Sequence, residues 1–207
     1  MICDFLQDNE KMKKLIKEQE FDLLVTSYGG SCSNAIEGIL RKNGLNIRYG
    51  KTKEEKHKCI WRKLLCHSPC YVNLGKPIIY IYDNQVVKAF LSVKRRGRGW
   101  WDTNQKKLNN NKNVELSDEN LLKSMIQQFY SFTNQKRKDV LVIKASEIFQ
   151  PEIKEKLEKF LGCQLNGLPL KYREPTVNLS SYEYSKEEKE LFEKYKKHID
   201  YIYNFNN

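Results

Sequence analysis

The chain has 207 residues, 40% of them hydrophobic and 12% aromatic, which is enough apolar material for a globular core and excludes a disordered or low-complexity protein. Lysine and arginine number 37 against 26 acids, a net charge of +11, so anionic partners are favoured as a class: nucleotides, polyanionic sugars, nucleic acid and membrane surfaces. No apolar run reaches the roughly 18 residues of a membrane span, and the amino-terminal MICDFLQDNEKMKK has its charges after a short apolar patch, the reverse of a signal peptide.

A cytoplasmic protein with no membrane partner is therefore expected. Its cysteines, at positions 3, 32, 59, 66, 70 and 163, are too scattered for a dense disulfide framework and should be free thiols. Residues Cys3 to Glu20 space Phe5, Leu6, Met12, Leu15 and Ile16 as an amphipathic helix. Phe21 to Asn34, FDLLVTSYGGSCSN, follows: Leu23, Leu24 and Val25 read as a strand buried on both faces, and the small residues after it as a turn into a helix. That helix carries Ala35, Ile36, Ile39 and Leu40 and should stop at Asn43-Gly44.

Tyr49 to Arg62 is charged and solvated. Ile78 to Tyr82 is β-branched and aromatic, a second central strand, and Val86, Val87, Phe90 and Val93 give the next helix. Lys94 to Asn113, KRRGRGWWDTNQKKLNNNKN, shifts composition sharply and reads as a long surface excursion, a length more often found in lids and binding loops than in plain connections.

Ser117 caps a helix whose core stripe is Leu121, Leu122, Met125, Ile126 and Phe129. Asp139 to Lys144 is a third buried strand, Pro151 opens a helix that Gly162 stops, and Ser185 to Tyr203 is one long charged helix. Strands alternating with helices predict an α/β fold, a three-layer sandwich with a central, mainly parallel sheet flanked by helices.

The loop after the first strand has the composition of an anion cradle. Two glycines let backbone N–H groups converge, Ser31 and Ser33 can add hydroxyls, and Asn34 could open a helix whose positive end points at the same place. A plain strand-to-helix turn would use the same residues for geometry and capping. The loop is not a Walker A motif, since no lysine lies between Phe21 and Leu40, and it lacks GxGxxG, so kinase, ATPase and dinucleotide chemistry are disfavoured.

TSYGGSCSN resembles the 5′-phosphosulfate loop of sulfotransferases that use 3′-phosphoadenosine 5′-phosphosulfate (PAPS), close to T-Y-P-K-S-G-T-T-W in that family. CHSPCYVNLGKPIIYIYDNQVVKAFLS is similar to the family's K-T-H-x-P, spacer, K-I-I-Y-x-x-R-N-P-x-D-V-x-V-S. DVLVIKASEIFQPEIKEKLEKFLG resembles a later strand, acidic turn and helix, and YREPTVNLSSYEYSKEEKELFEKYKKHIDYIY the carboxy-terminal tail of short members. The resemblance implies one sulfotransferase-like domain of P-loop-like type over residues 1–207, with 94–113 as a lid.

It further implies that Gly29, Gly30, Ser31, Cys32, Ser33 and Asn34 hold the 5′-phosphosulfate. His67 would be the general base that takes the acceptor's proton, a task suited to imidazole near neutral pH. Ser92, after a one-residue shift, and Arg173 would hold the 3′-phosphate. PAPS would be the donor, a small-molecule or glycan hydroxyl or amine the acceptor, and no metal would be needed.

Three departures stand out. Gly30 occupies the place of the family's loop lysine, Cys32 that of a glycine, and Asp83 that of the arginine that grips the 3′-phosphate. Losing a cation at a leaving group commonly costs about 10²–10³ in rate. The missing charge could come from Lys94, Arg95, Arg96 and Arg98, or the chain could be a degenerate member that binds a nucleotide, glycan or nucleic acid through its basic face. Trp100-Trp101 could stack bases or sugars or simply anchor the loop. His57, Cys59, Cys66, His67 and Cys70 have the composition of a tetrahedral zinc site without the usual paired knuckle spacing. The sequence leaves the oligomeric state and the acceptor open.

Overall fold

The computed structural model describes residues 22–45, 47–48, 76–96, 117–134, 137–171 and 178–205. The expected amino-terminal helix, the charged segment from Tyr49, the cysteine–histidine cluster, Trp100-Trp101 and nearly all of the proposed lid lie outside them. Among these residues four strands form one sheet: β1 (Leu23–Thr26), β2 (Ile47–Arg48), β3 (Ile78–Tyr82) and β4 (Val140–Lys144), in the order β2-β1-β3-β4. Every described pairing is parallel. Leu24, Val25 and Thr26 oppose Ile78, Ile79 and Tyr80, and β3 continues along all five residues of β4.

Among the described residues six α-helices flank the sheet: α1 (Ser33–Lys42), α2 (Val86–Arg95), α3 (Asp118–Thr133), α4 (Glu152–Leu161), α5 (Lys186–Lys194) and α6 (Lys196–Asn204). Strand alternation divides the core into two faces. Leu24, Ile78, Tyr80 and Tyr82 pack with α2, α3 and α6 through Phe90, Met125, Phe129 and Ile202. Leu23, Val25, Ile79 and Ile81 point the other way, against Ile36 and Leu40 of α1 and Ile153 and Leu157 of α4.

The chain runs outward from β1 through α1 to β2, whereas β3 leads through α2 and α3 in the opposite direction to β4. Crossovers of one hand that travel in opposite directions must cover opposite faces, as α1 and α2 do. The point where direction reverses lies between β1 and β3, the position where ligands of open α/β sheets sit beyond the carboxyl ends of the strands.

The central strands β1 and β3 are buried on both faces, as their unbroken apolar sequences require. β4 differs from expectation: only Ile143 is fully buried, because the strand has a neighbour on one side alone among the described residues. Asn43-Gly44 and Gly162 end α1 and α4 where read from the sequence, with Gly44 and Gly162 in the left-handed region. Ser117 caps α3 by accepting the Asn120 N–H.

The single carboxy-terminal helix expected from Ser185 is two. It breaks at Tyr195, whose ψ is 8° and whose hydroxyl donates to Glu119 of α3. No described helix is long and apolar enough to cross a membrane.

The aromatic face is the denser one. Phe129 meets Tyr82 edge-on at 5.2 Å and Phe205 at 5.0 Å, with Tyr130 and Tyr201 on its outer side. Phe129→Ala should therefore cost about 3–5 kcal/mol, read from the urea midpoint. A pH signature lies on the same face. Glu119 accepts from Lys194, Lys123 and Tyr195, which lower its pKa from 4.5 to about 2. A lowered carboxyl pKa stabilises the fold above the unfolded value and loses that contribution as pH falls through the folded one. Glu119→Gln should flatten the acid loss of stability between pH 4.5 and about 2, followed by thermal melts across that range.

Candidate functional site

Beyond the end of β1 the backbone turns through Ser27 to Cys32 before α1 begins. Gly29 and Gly30 have φ of 99° and 74°, and Cys32, at the helix entrance, has φ 58°. Left-handed geometry suits glycine and costs a side chain roughly 1–2 kcal/mol, so Cys32 holds an unfavourable conformation that the surrounding turn imposes.

Gly30 is constrained a second way. A Cβ there would lie 3.3 Å from the Cα of Ala89 in α2, so the loop rests directly on the backbone of the helix that follows β3. The position that the resemblance sets opposite the sulfotransferase loop lysine is thus crowded toward α2.

The serines brace this turn from inside. Ser27 and Ser33 share a hydrogen bond of 2.9 Å, the Gly29 N–H donates to Ser27 Oγ at 3.3 Å, and Ser31 Oγ donates to the Gly29 carbonyl at 3.1 Å. Ser31 and Ser33 are buried, 1% and 3% exposed, whereas Cys32 and Asn34 are exposed. The face that α1 turns to solvent at its start is thus formed by Cys32, Asn34 and the helix amides. The first turn holds no acidic residue and no side chain caps it, so the first turn's own residues leave its positive end without a carboxylate.

The end of β3 completes the site. Tyr28, buried, donates its hydroxyl to the Asp83 carbonyl oxygen, and burial together with the Asp83 charge raises its pKa well above the ordinary value, so it acts as a neutral tie. The Asp83 carboxylate accepts the Gln85 N–H at 2.9 Å and pairs with Lys88 Nζ at 2.9 Å. Asp83, which the sulfotransferase resemblance sets opposite an arginine, is therefore not a bare negative charge: α2 supplies its counter-ion.

Cys32 senses both groups. Although the residue as a whole is exposed, partial desolvation of the thiol against the turn raises its pKa, the Asp83 charge raises it further, and Lys88 works against them. A thiol held up in this way is a poor nucleophile.

Gly29 to Asn34 are thus brought together at one strand end. Ser92 lies one turn beyond Lys88 and three residues beyond Ala89, on the side of α2 that those two share by helical spacing. His67 and Arg173 lie outside the described residues. Of the basic group Lys94, Arg95, Arg96 and Arg98, Lys94 is committed elsewhere: it bridges Asp118 at 2.8 Å and the buried Glu188 at 2.7 Å, tying α2 to α3 and α5. Arg98 is outside the described residues, and Arg95 and Arg96 are exposed at the far end of α2.

Sequence reading missed Lys88, because within VVKAF it looks like any solvated helix lysine. Its position five residues after Asp83, on a first turn that follows a strand end, is the signal that could have found it. Among the described residues no group of three or more histidine, cysteine or acidic side chains could hold a metal, and Cys32 and Cys163 are free thiols.

The backbone geometry predicts opposite effects at neighbouring positions. Gly30→Ala should lose at least about 1–2 kcal/mol from the left-handed backbone, with the approach to Ala89 adding to it. Cys32→Gly should be neutral or stabilising by up to about 1 kcal/mol. Urea unfolding of the two variants measures both.

Comparison of the chain with protein-family models, with curated proteins and with solved structures gave no match.

Proposed function

We propose that this chain is a divergent sulfotransferase-type protein of P-loop-like architecture that binds PAPS at the mouth of the 29–34 loop and passes its sulfuryl group to a hydroxyl or amine acceptor. The observation that carries the reading is the turn itself. Gly29, Gly30 and Cys32 are left-handed, braced by Ser27, Ser31 and Ser33, and open onto the uncapped start of α1 at the reversal point of a parallel sheet. Such a turn aims backbone N–H groups at an anion and adds the favourable end of a helix dipole, worth about 0.3–1 kcal/mol, up to about 2 when partly buried.

In this reading the Gly29 to Asn34 segment holds the 5′-phosphosulfate through backbone N–H groups and Asn34, with Ser31 and Ser33 bracing it from inside, and Ser92 and Arg173 hold the 3′-phosphate. His67 removes the proton of the attacking acceptor. The acceptor oxygen or nitrogen bonds to sulfur as the bond from sulfur to the bridging oxygen breaks, and 3′-phosphoadenosine 5′-phosphate leaves with that electron pair. Imidazole is fitted to the proton step by its titration near neutral pH.

A second reading has an observation of its own. The loop position that carries the leaving-group lysine in sulfotransferases is Gly30, packed against Ala89, which favours a binding protein that keeps the cradle without the chemistry and takes a nucleotide, a glycan or nucleic acid. Isothermal titration with 3′-phosphoadenosine 5′-phosphate and with PAPS tests the common ground: binding of at least one is expected, and failure of both rejects the PAPS site. Transfer of labelled sulfate to an acceptor panel separates the two readings. Catalysis predicts turnover that His67→Ala lowers by roughly 10²–10⁴; donor binding with no turnover leaves the binding protein.

A further inference from the structure

The Asp83–Lys88 pair is built into the loop at both ends. Asp83 receives the Tyr28 hydroxyl on its carbonyl, and Lys88 immediately precedes Ala89, on whose backbone Gly30 rests so closely that a Cβ there would lie 3.3 Å from the Ala89 Cα. The pair therefore sits beside the loop, at the ends of β1 and β3 where the sheet reverses direction. The Asp83 carboxylate is buried, whereas the Lys88 side chain keeps 22% of its surface exposed. An ammonium has three donors, and the contact to Asp83 Oδ2 at 2.9 Å uses one of them.

On the reading that the 29–34 loop is an anion cradle, we propose that Lys88 is the cation of that cradle and that Asp83 limits the negative charge the cradle accepts. The lysine absent from the loop at Gly30 is replaced from the neighbouring helix. Lys88 need not leave Asp83 to act, because its remaining N–H groups can turn to a ligand oxygen while the carboxylate fixes its position. The same carboxylate offsets the lysine, so the site's surplus positive charge is small and comes mainly from the helix start and loop amides. Such a site suits a singly charged sulfate or phosphodiester group and disfavours polyphosphates, whose extra charge meets Asp83.

Inorganic pyrophosphate is the probe, titrated calorimetrically into the full chain and into Lys88→Met, Lys88→Arg and Asp83→Asn, each checked by thermal melt for folding. Weak binding by the unaltered chain is expected, weakened roughly 10-fold or more by Lys88→Met, largely kept by Lys88→Arg, and tightened by Asp83→Asn. Asparagine keeps the acceptor for the Gln85 N–H and removes only the charge. Equal binding by the chain and Lys88→Met overturns the role of Lys88, and weaker binding by Asp83→Asn overturns that of Asp83. If neither the chain nor Asp83→Asn binds pyrophosphate, the inference fails as a whole. The PAPS site stands or falls separately, on the adenine nucleotides.

Discussion

The parallel pairing of β1 with β3 is the constraint from which the rest follows. Both strands are buried on both faces, so their backbone groups have no water to turn to and must pair with neighbouring strands. Leu24 opposite Ile78, Val25 opposite Ile79 and Thr26 opposite Tyr80 fix the register. Slipping it by one residue would exchange the aromatic and aliphatic faces of a strand. With register fixed, the two strands end side by side, and the segments that follow them have to share one small volume.

That crowding explains the local chemistry. Gly30 has neither room for a side chain nor a backbone conformation that favours one, because α2 starts close beside the loop. Tyr28 reaches across to the Asp83 carbonyl, and Lys88 returns to the Asp83 carboxylate. A buried carboxylate left alone would carry a penalty of several kcal/mol; here a backbone N–H and a lysine answer it. Helix α2 thus serves two places at once, holding the loop with its first turns and, through Lys94, joining Asp118 and Glu188 at its last. The buried Glu188 is itself satisfied by Lys94, Tyr182 and the Ser185 N–H.

The two faces of the sheet are packed by different means. On one, Leu, Ile and Val from the strands meet the apolar stripes of α1 and α4. On the other, Tyr80, Tyr82, Phe90, Phe129 and Phe132 interlock, and Phe205 at the end of α6 closes over Tyr82 at 5.9 Å while Tyr82 donates its hydroxyl to the Phe205 carbonyl. Large rings bury much area and orient one another stacked, as Tyr80 and Phe132, or edge to face, as Tyr82 and Phe205, so the carboxy-terminal helices are seated by geometry as well as by area.

The sequence by itself determined the strands at Leu23 to Val25 and Ile78–Tyr82, the stripe of α3 and the stops at Gly44 and Gly162, because apolar periodicity, serine caps and left-handed glycines are local signals. It also marked the turn at Gly29 to Asn34. A two-residue strand such as Ile47–Arg48 has no period to read, and the half-burial of β4 and the break at Tyr195 depend on which neighbours arrive. Only the tertiary structure turned Ser31 and Ser33 inward as braces, committed Lys94 to Asp118 and Glu188, and placed Lys88 against Asp83. Spatial proximity between the ends of β1 and β3 arises from sheet order, and residues 28 and 83 carry no mark of it in the chain.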